Sequence, residues 1–380
     1  MRRKQVHAIV LAVVFVLIST STAMSQNNPG VESPPIYETW ETFTTKDGLP
    51  NDHIYWVEVD PVNDCLWVGT DDGLGCLQDG NWKVYTPEDG LGHQAVMCVE
   101  VDTLTGDLWI GTFKGLTWFS AGRFYNFTQF NSGLANDIVY GVAVQGDTIW
   151  AATTAGTSRY IKKTREWMVY DGQNAPMHEN WCYNVCNGPP GKIFVAVWGG
   201  GILEYDMKTD HWQDYRDPDG EFEIDLFPHD GLVHEIVTAP SYAEGLLWAS
   251  TYFGISLYDN FRRWRSYFET DSGLASDFIN FVRAKPGTHV GWICTDKGLS
   301  VFDYDLNRWV TYKRNEKDPE YRGIIEIYQG KKLVETRKTK TGIAHNFVLS
   351  VDFDGDDVWV GTSHGLSHGI LNPTTLGLSK

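Results

Sequence analysis

The pattern Trp-x-x-Thr returns six times along this chain, at Trp67/Thr70, Trp109/Thr112, Trp150/Thr153, Trp248/Thr251, Trp292/Thr295 and Trp359/Thr362. A degenerate copy, Phe194/Val197, fills the one gap. The first copies stand 42 and 41 residues apart. A unit of that length cannot bury its apolar face alone and must stack on its neighbours; the spacing suits one four-stranded blade. An aromatic-x-x-aromatic pair follows each of six repeats: Trp82/Tyr85, Phe124/Phe127, Trp167/Tyr170, Trp212/Tyr215, Trp264/Tyr267 and Trp309/Tyr312. The seventh, Trp40/Phe43, precedes the first Trp-x-x-Thr, and none follows the last. The chain thus opens with one outer strand and ends with three inner ones. These counts predict an all-β chain: a seven-bladed β-propeller of four-stranded antiparallel blades. Residues 37–44 are expected to join the strands of 358–370 and close the ring, which leaves no large open edge.

Within a repeat, alternating stretches such as Ile54-Tyr55-Trp56-Val57-Glu58-Val59 are broken by Gly, Asp, Asn and Pro turns, the all-β signal. The small residue before each Thr, as in Gly69 and Gly111, predicts close approach of neighbouring sheets. The run Asp352-x-Asp354-Gly355-Asp356 falls at a repeat turn and reads as a β-turn, not a calcium loop. Cys182 and Cys186 share one inner strand, too far apart to bond. Cys65 and Cys76 flank one hairpin and could come close. Free buried thiols are the expectation for most of the six cysteines.

Residues 1–25 read as a signal peptide. Arg2-Arg3-Lys4 precede an apolar run over 8–18, too short to span a bilayer, and Ala23-Met24-Ser25 offers small residues for cleavage. Residues 26–36 are expected to form a flexible leader and 37–380 the propeller, with no membrane span in the mature chain. The expected location is periplasmic or secreted. Losing Arg2, Arg3 and Lys4 and no acid takes the net charge from −18 to −21. A surface so acidic repels phosphate backbones, which argues against nucleic-acid binding.

The turn-and-strand sequence Asp47-Gly48-Leu49, Asp52, Ile54, then Leu66-Trp67-Val68-Gly69-Thr70 and Gly73-Leu74, resembles the two-component regulator propeller repeat. The resemblance recurs at Asp89-Gly90-Leu91, Ser132-Gly133-Leu134, Asp230-Gly231-Leu232 and Ser272-Gly273-Leu274. It is weakest in the fourth blade, at Asn174-Ala175-Pro176. It implies a periplasmic sensing propeller, of a kind often found in saccharide-responsive systems.

Two residues past each such turn come Asn51, His93, Asn136, His178, His234, Ser276 and His345. One further come Asp52, Gln94, Asp137, Glu179, Glu235, Asp277 and Asn346. Entries into innermost strands crowd around one mouth of the axial channel. The second row is acidic or amide throughout, which suits satisfaction of turn amides. The histidines are less regular. The candidate ligand-binding set is therefore His93, His178, His234 and His345 with Glu179 and Glu235. Trp198, Tyr252 and Phe253 join it from the turns between second and third strands, where rings stack on a sugar and polar groups take its hydroxyls. Two insertions, 216–229 and 313–341, are expected on the same face. The second reads as a protruding hairpin that serves as a lid or docking edge. Its nine basic and five acidic residues give +4 on an acidic protein.

These features predict an exported, non-enzymatic recognition module with no cofactor, which binds a saccharide-like ligand or a protein partner at the mouth. The alternative is a metal-dependent lyase resembling the streptogramin lyases. That resemblance implies a His beside a divalent metal at the mouth, for which His178-Glu179 and His234-Glu235 are the candidates.

Overall fold

The computed structural model describes residues 33–218 and 229–371. The expected signal peptide, the leader up to residue 32 and most of the insertion 216–229 lie outside the described residues. Seven antiparallel sheets follow one another, with inner strands that begin at Ile54, Val96, Val139, Cys182, Val237, Ile279 and Val348. They are numbered here as blades one to seven. Each inner strand packs on the inner strand of the next blade, and blade seven returns to blade one. The chain is a seven-bladed β-propeller.

Closure occurs where the aromatic count places it. Thr39–Phe43 pairs with Gly365–Ile370, Thr39 opposite Ile370 and Phe43 opposite Leu366. The residues before it add a second fastening. Ile36, at the end of the expected leader, is buried, as is Tyr37 at the start of the propeller. The Tyr37 amide donates to the Tyr312 hydroxyl at 3.1 Å, and its own hydroxyl donates to the Asp356 carbonyl at 2.6 Å. Its ring meets Trp292 edge-on.

The repeated Trp and Thr have separate tasks. Trp109, Trp150, Trp248 and Trp292 are at most 1% exposed and fill the space between blades, where a large apolar area is removed from water. The Thr ties the turn after the second strand. Thr70 Oγ1 donates to the Gly73 carbonyl at 2.9 Å and accepts from the Asp72 amide at 3.2 Å. Thr112, Thr153, Thr251, Thr295 and Thr362 close the same ring of bonds to Gly115, Gly156, Gly254, Gly298 and Gly365. Val197 has no hydroxyl, and blade four turns through Gly199-Gly200 instead. The small residue before Thr is needed: a Cβ on Gly69 would lie 2.7 Å from the Val96 carbonyl oxygen of the next blade.

The basic insertion does not stand over the mouth. Gly323–Gln329 and Lys332–Thr339 extend blade six outward to six strands, beyond Arg308–Arg314. Alternating Ile325 and Ile327 are buried toward the closure region, Thr341 Oγ1 accepts from the Trp40 amide, and Arg337 pairs with Glu38 at 3.0 Å. The connection 315–322 approaches the mouth, where Glu316 lies 3.9 Å from His345 Nε2. The run from Asp352 is a two-residue turn at 355–356, as its composition predicts, and all six cysteines are free.

Candidate functional site

Every inner strand carries a β-bulge at its second residue: Tyr55, Met97, Tyr140, Tyr183, Thr238, Asn280 and Leu349 fall out of register with the second strand. A bulge re-aims its side chain. All seven line one space of about 90 Å³ at the entry end of the channel. Three residues further along come Glu58, Glu100, Ala143, Cys186, Ser241, Arg283 and Asp352, which line a second chamber of about 320 Å³. Trp56, Asn184 and Phe281 border both spaces, with the Trp56 and Phe281 rings 5.1 Å apart edge to face.

Above the upper ring, aromatic side chains form a continuous arc from blade two to blade six. Phe113 meets Tyr140 edge-on at 6.2 Å, and Tyr140 stacks on Tyr183 at 5.2 Å and on Trp181 at 6.1 Å. Trp181 stacks on Trp198 at 5.5 Å, Trp198 meets Tyr252 edge-on at 5.1 Å, and Tyr252 stacks on Phe278 at 4.2 Å. Trp181 is 39% exposed, so the arc is open to solvent there. Burial raises the pKa of Tyr140, Tyr183 and Tyr252, which keeps their hydroxyls neutral donors.

The opposite side of the mouth is polar. Asp71 accepts from the Tyr55 hydroxyl at 2.8 Å and lies 3.0 Å from His53 Nδ1, while Asn51 donates to Asp72 at 2.6 Å. In blade seven the Ser363 hydroxyl lies 2.9 Å from Nδ1 of both His345 and His364, whose rings are 4.2 Å apart. Burial, and then the neighbouring His364, lowers the His345 pKa.

The structure gives the histidine row a task that composition assigned to its neighbours. His93, His234 and His345 accept through Nδ1 from the amides of Ala95, Ile236 and Phe347 at 2.9–3.0 Å. Asn51, Asn136 and Ser276 cap the same amide with an oxygen. The imidazole is thus one of several interchangeable turn caps, and a neutral ring that accepts at Nδ1 carries its hydrogen on Nε2. The second row ties the preceding loop as expected: Asp52, Asp137, Asp277 and Asn346 accept from the amides of Thr45, Gln129, Glu269 and Arg314 at 2.6–2.7 Å. Glu235 holds the same place in blade five, where its carbonyl accepts from the Gly201 amide.

Blade four is displaced by one residue from the expected register. Asn180 is the residue that accepts from the loop amide, that of Gly172, and its carbonyl takes the Gly156 amide. The equivalent pair is therefore Glu179-Asn180, and His178 falls one position early, exposed. The cause is burial: Met177, 6% exposed, fills the pocket that Leu134 fills in blade three. Ala175-Pro176-Met177 is then the Asp-Gly-Leu counterpart. The shift places Trp181, which sequence reasoning missed, at the entry to the arc. Of the candidates, Trp198 and Tyr252 are brought together. His93 and His234 lie beside Phe113 and Phe253 in separate blades, and Phe253 turns outward onto Phe268.

The lower ring is charged. Arg283 Nη2 reaches Glu58 at 2.8 Å and Asp352 at 3.1 Å. Burial pushes the Glu58 carboxyl up to about 7 against the pull of Arg283, and burial with the nearby Glu58 holds Glu100 well above the carboxylate range. Glu58 and Asp352 share one guanidinium, whose charge also reaches Glu100. Among the described residues no three His, Cys, Asp or Glu side chains are grouped to hold a metal ion.

No protein-family model matches the sequence, and no curated protein matches it. Solved structures do. One is the extracellular domain of BT3049 from B. thetaiotaomicron, assigned as a hybrid two component system, with a TM-score of 0.66 at 16% identity over 88% of this chain and 42% of that one. The extracellular domain of BT4673 from the same organism gives a TM-score of 0.65 at 16% identity, over 88% and 40%. This chain thus spans about two fifths of each. Virginiamycin B lyase from Staphylococcus aureus gives 0.57 at 13% identity, over 87% and 97%. The first two agree with the resemblance carried by the repeat. At such identities the likeness carries architecture and no activity: the protein is a seven-bladed β-propeller with the architecture of two-component extracellular domains.

Proposed function

We propose that this protein is an exported recognition module that binds a saccharide-like ligand at the entry mouth of its channel, in a sensing role. The observation that carries this reading is the arc from Tyr140 through Trp181, Trp198 and Tyr252 to Phe278, which faces the Asp71/Asp72 and Ser363/His364 groups across the opening. Ring faces stack on the apolar face of a pyranose, and carboxylates, amides and neutral phenols take its hydroxyls. Export rests on the N-terminal sequence, and sensing on the repeat resemblance. Titration of the purified mature protein with a panel of oligosaccharides, followed by tryptophan fluorescence, tests the reading. One or more sugars should saturate, and Trp198→Ala should weaken that binding roughly tenfold, the loss of one stacking platform. Sugar binding unchanged in Trp198→Ala would remove the arc from the site. The same mouth suits a protein loop, in which case sugars fail to saturate and Trp198→Ala reduces capture of a defined partner.

The lyase reading has the shared architecture of virginiamycin B lyase in its support. Metal analysis of the purified protein tests it: a stoichiometric divalent ion, lost on His234→Ala, would favour it over recognition.

A further inference from the structure

The outer wall between blades two and three carries a cleft of about 690 Å³, remote from the mouth. We propose that this cleft is a second ligand site, and that its ligand is a small ring bearing a carboxylate.

Its floor is an aromatic ladder that runs across three strands. Trp109 stands directly opposite Trp118, and Trp118 directly opposite Tyr125. The first pair of rings lies 5.6 Å apart at 7°, the second 5.0 Å apart at 32°. The other blades share the buried aromatic at the first position but carry no three-ring ladder; blade seven stacks His368 on Trp359 at 4.0 Å and ends at Glu41. Blade one follows Trp67 with Cys76 and Lys83, and blade three follows Trp150 with Arg159 and Met168. Trp118 also donates its indole N–H to Asp107 at 3.0 Å, as His368 pairs with Asp357 in blade seven, whereas blade packing does not call for Tyr125. Tyr125 is 43% exposed, so the ladder ends as an open ring face. Tyr160 of blade three borders the cleft and packs on Trp109, the rings 5.8 Å apart and tilted by 54°. The accessible rings of Trp118 and Tyr125 give a platform on which a ligand ring can stack.

The charge comes from the same turn of blade three. Lys162 is already committed to Asp102. Arg165 is exposed, borders the cleft beside Tyr160, and forms no ion pair among the described residues. Its backbone is left-handed, with φ of 60°. The matching turns of blades four and six place Asp210 and Asn307 there, the residue types that tolerate this conformation. Arg165 closes the turn with its own amide, which donates to the Ile161 carbonyl at 2.7 Å. Its fork matches a carboxylate. Ring stacking and one guanidinium together select an anionic ring, either an aromatic acid or a uronic sugar.

The test titrates the mature protein with 4-hydroxybenzoate, galacturonate and their uncharged counterparts phenol and galactose, read by tryptophan fluorescence and calorimetry. At least one acid should saturate, with its uncharged counterpart roughly tenfold weaker or more, the loss of a charge-assisted contact. Which acid saturates separates the two sources. Arg165→Gln and Tyr125→Ala should each weaken that acid roughly tenfold, while Trp198→Ala at the mouth leaves it unchanged. Both cleft positions are exposed, and an unchanged melting transition confirms that the variants fold. The proposal is overturned if neither acid saturates, if either cleft variant binds like the native protein, or if Trp198→Ala abolishes the binding.

Discussion

The same seven strands build two unlike rings only three residues apart. The upper ring, at the bulges, holds Tyr55, Tyr140 and Tyr183 and opens to the aromatic arc. The lower ring holds Glu58, Glu100 and Asp352 around Arg283. Backbone geometry is the same in both because the repeat sets it. What differs is solvation. At the mouth, polar groups keep partners and access to water, so changes there should alter binding more than folding. In the lower chamber, ions are taken from water and depend on one another, so changes there should alter folding more than binding.

Removal of the shared cation is the strongest way to break this contrast. Arg283→Met leaves Glu58 and Asp352 without their partner and should cost about 3 kcal/mol of unfolding free energy, the lower end for a broken buried pair since the Arg283 side chain is 23% exposed. Urea unfolding measures it. A loss no larger than that of Trp198→Ala would make the two rings energetically alike.

The pH dependence is the next largest effect. Glu58 is raised in the folded chain, from 4.5 to about 7. Between those values the native state binds more protons than the unfolded one, so this group's contribution is fully present below 4.5 and is lost as pH rises through 7. Stability should fall by about 1–2 kcal/mol across that window on this account, allowing for the partial exchange of charge with Arg283. Glu58→Gln should flatten the slope. Chemical denaturation at pH 5 and pH 8 compares the two proteins, and an equal slope in both would assign the titration elsewhere.

The smallest effect sharpens the reading of the mouth. His93→Asn should change stability by under about 0.5 kcal/mol, because Asn51 and Asn136 cap the same amide. His93→Leu leaves the Ala95 amide without its acceptor and should cost about 1 kcal/mol. Thermal melts distinguish them. A large loss in His93→Asn would show that the imidazole has a task beyond the turn.

Much of this was legible beforehand. Trp-x-x-Thr counts blades because each Trp fills an interblade gap and each Thr ties a turn, tasks that constrain residue type wherever the unit recurs. The displaced aromatic pair Trp40/Phe43 disclosed ring closure for the same reason. Blade four misled because its turn replaces Gly-Leu with Pro-Met, and only the burial of Met177 fixes the register. The basic run 313–341 was legible as strands, and its alternation at Ile325 and Ile327 did not tell which surface would cover them.

Local chemistry along the chain therefore determined the architecture: blade number, closure and turn caps all depend on contacts within one repeat or between adjacent ones. Tertiary structure decided which side chains share a space. The bulge that aims Tyr140 and Tyr183 into the channel leaves no mark in an alternating pattern. Arg283 meets Glu58 across 225 positions of sequence. Such meetings depend on ring geometry, and no single repeat contains it.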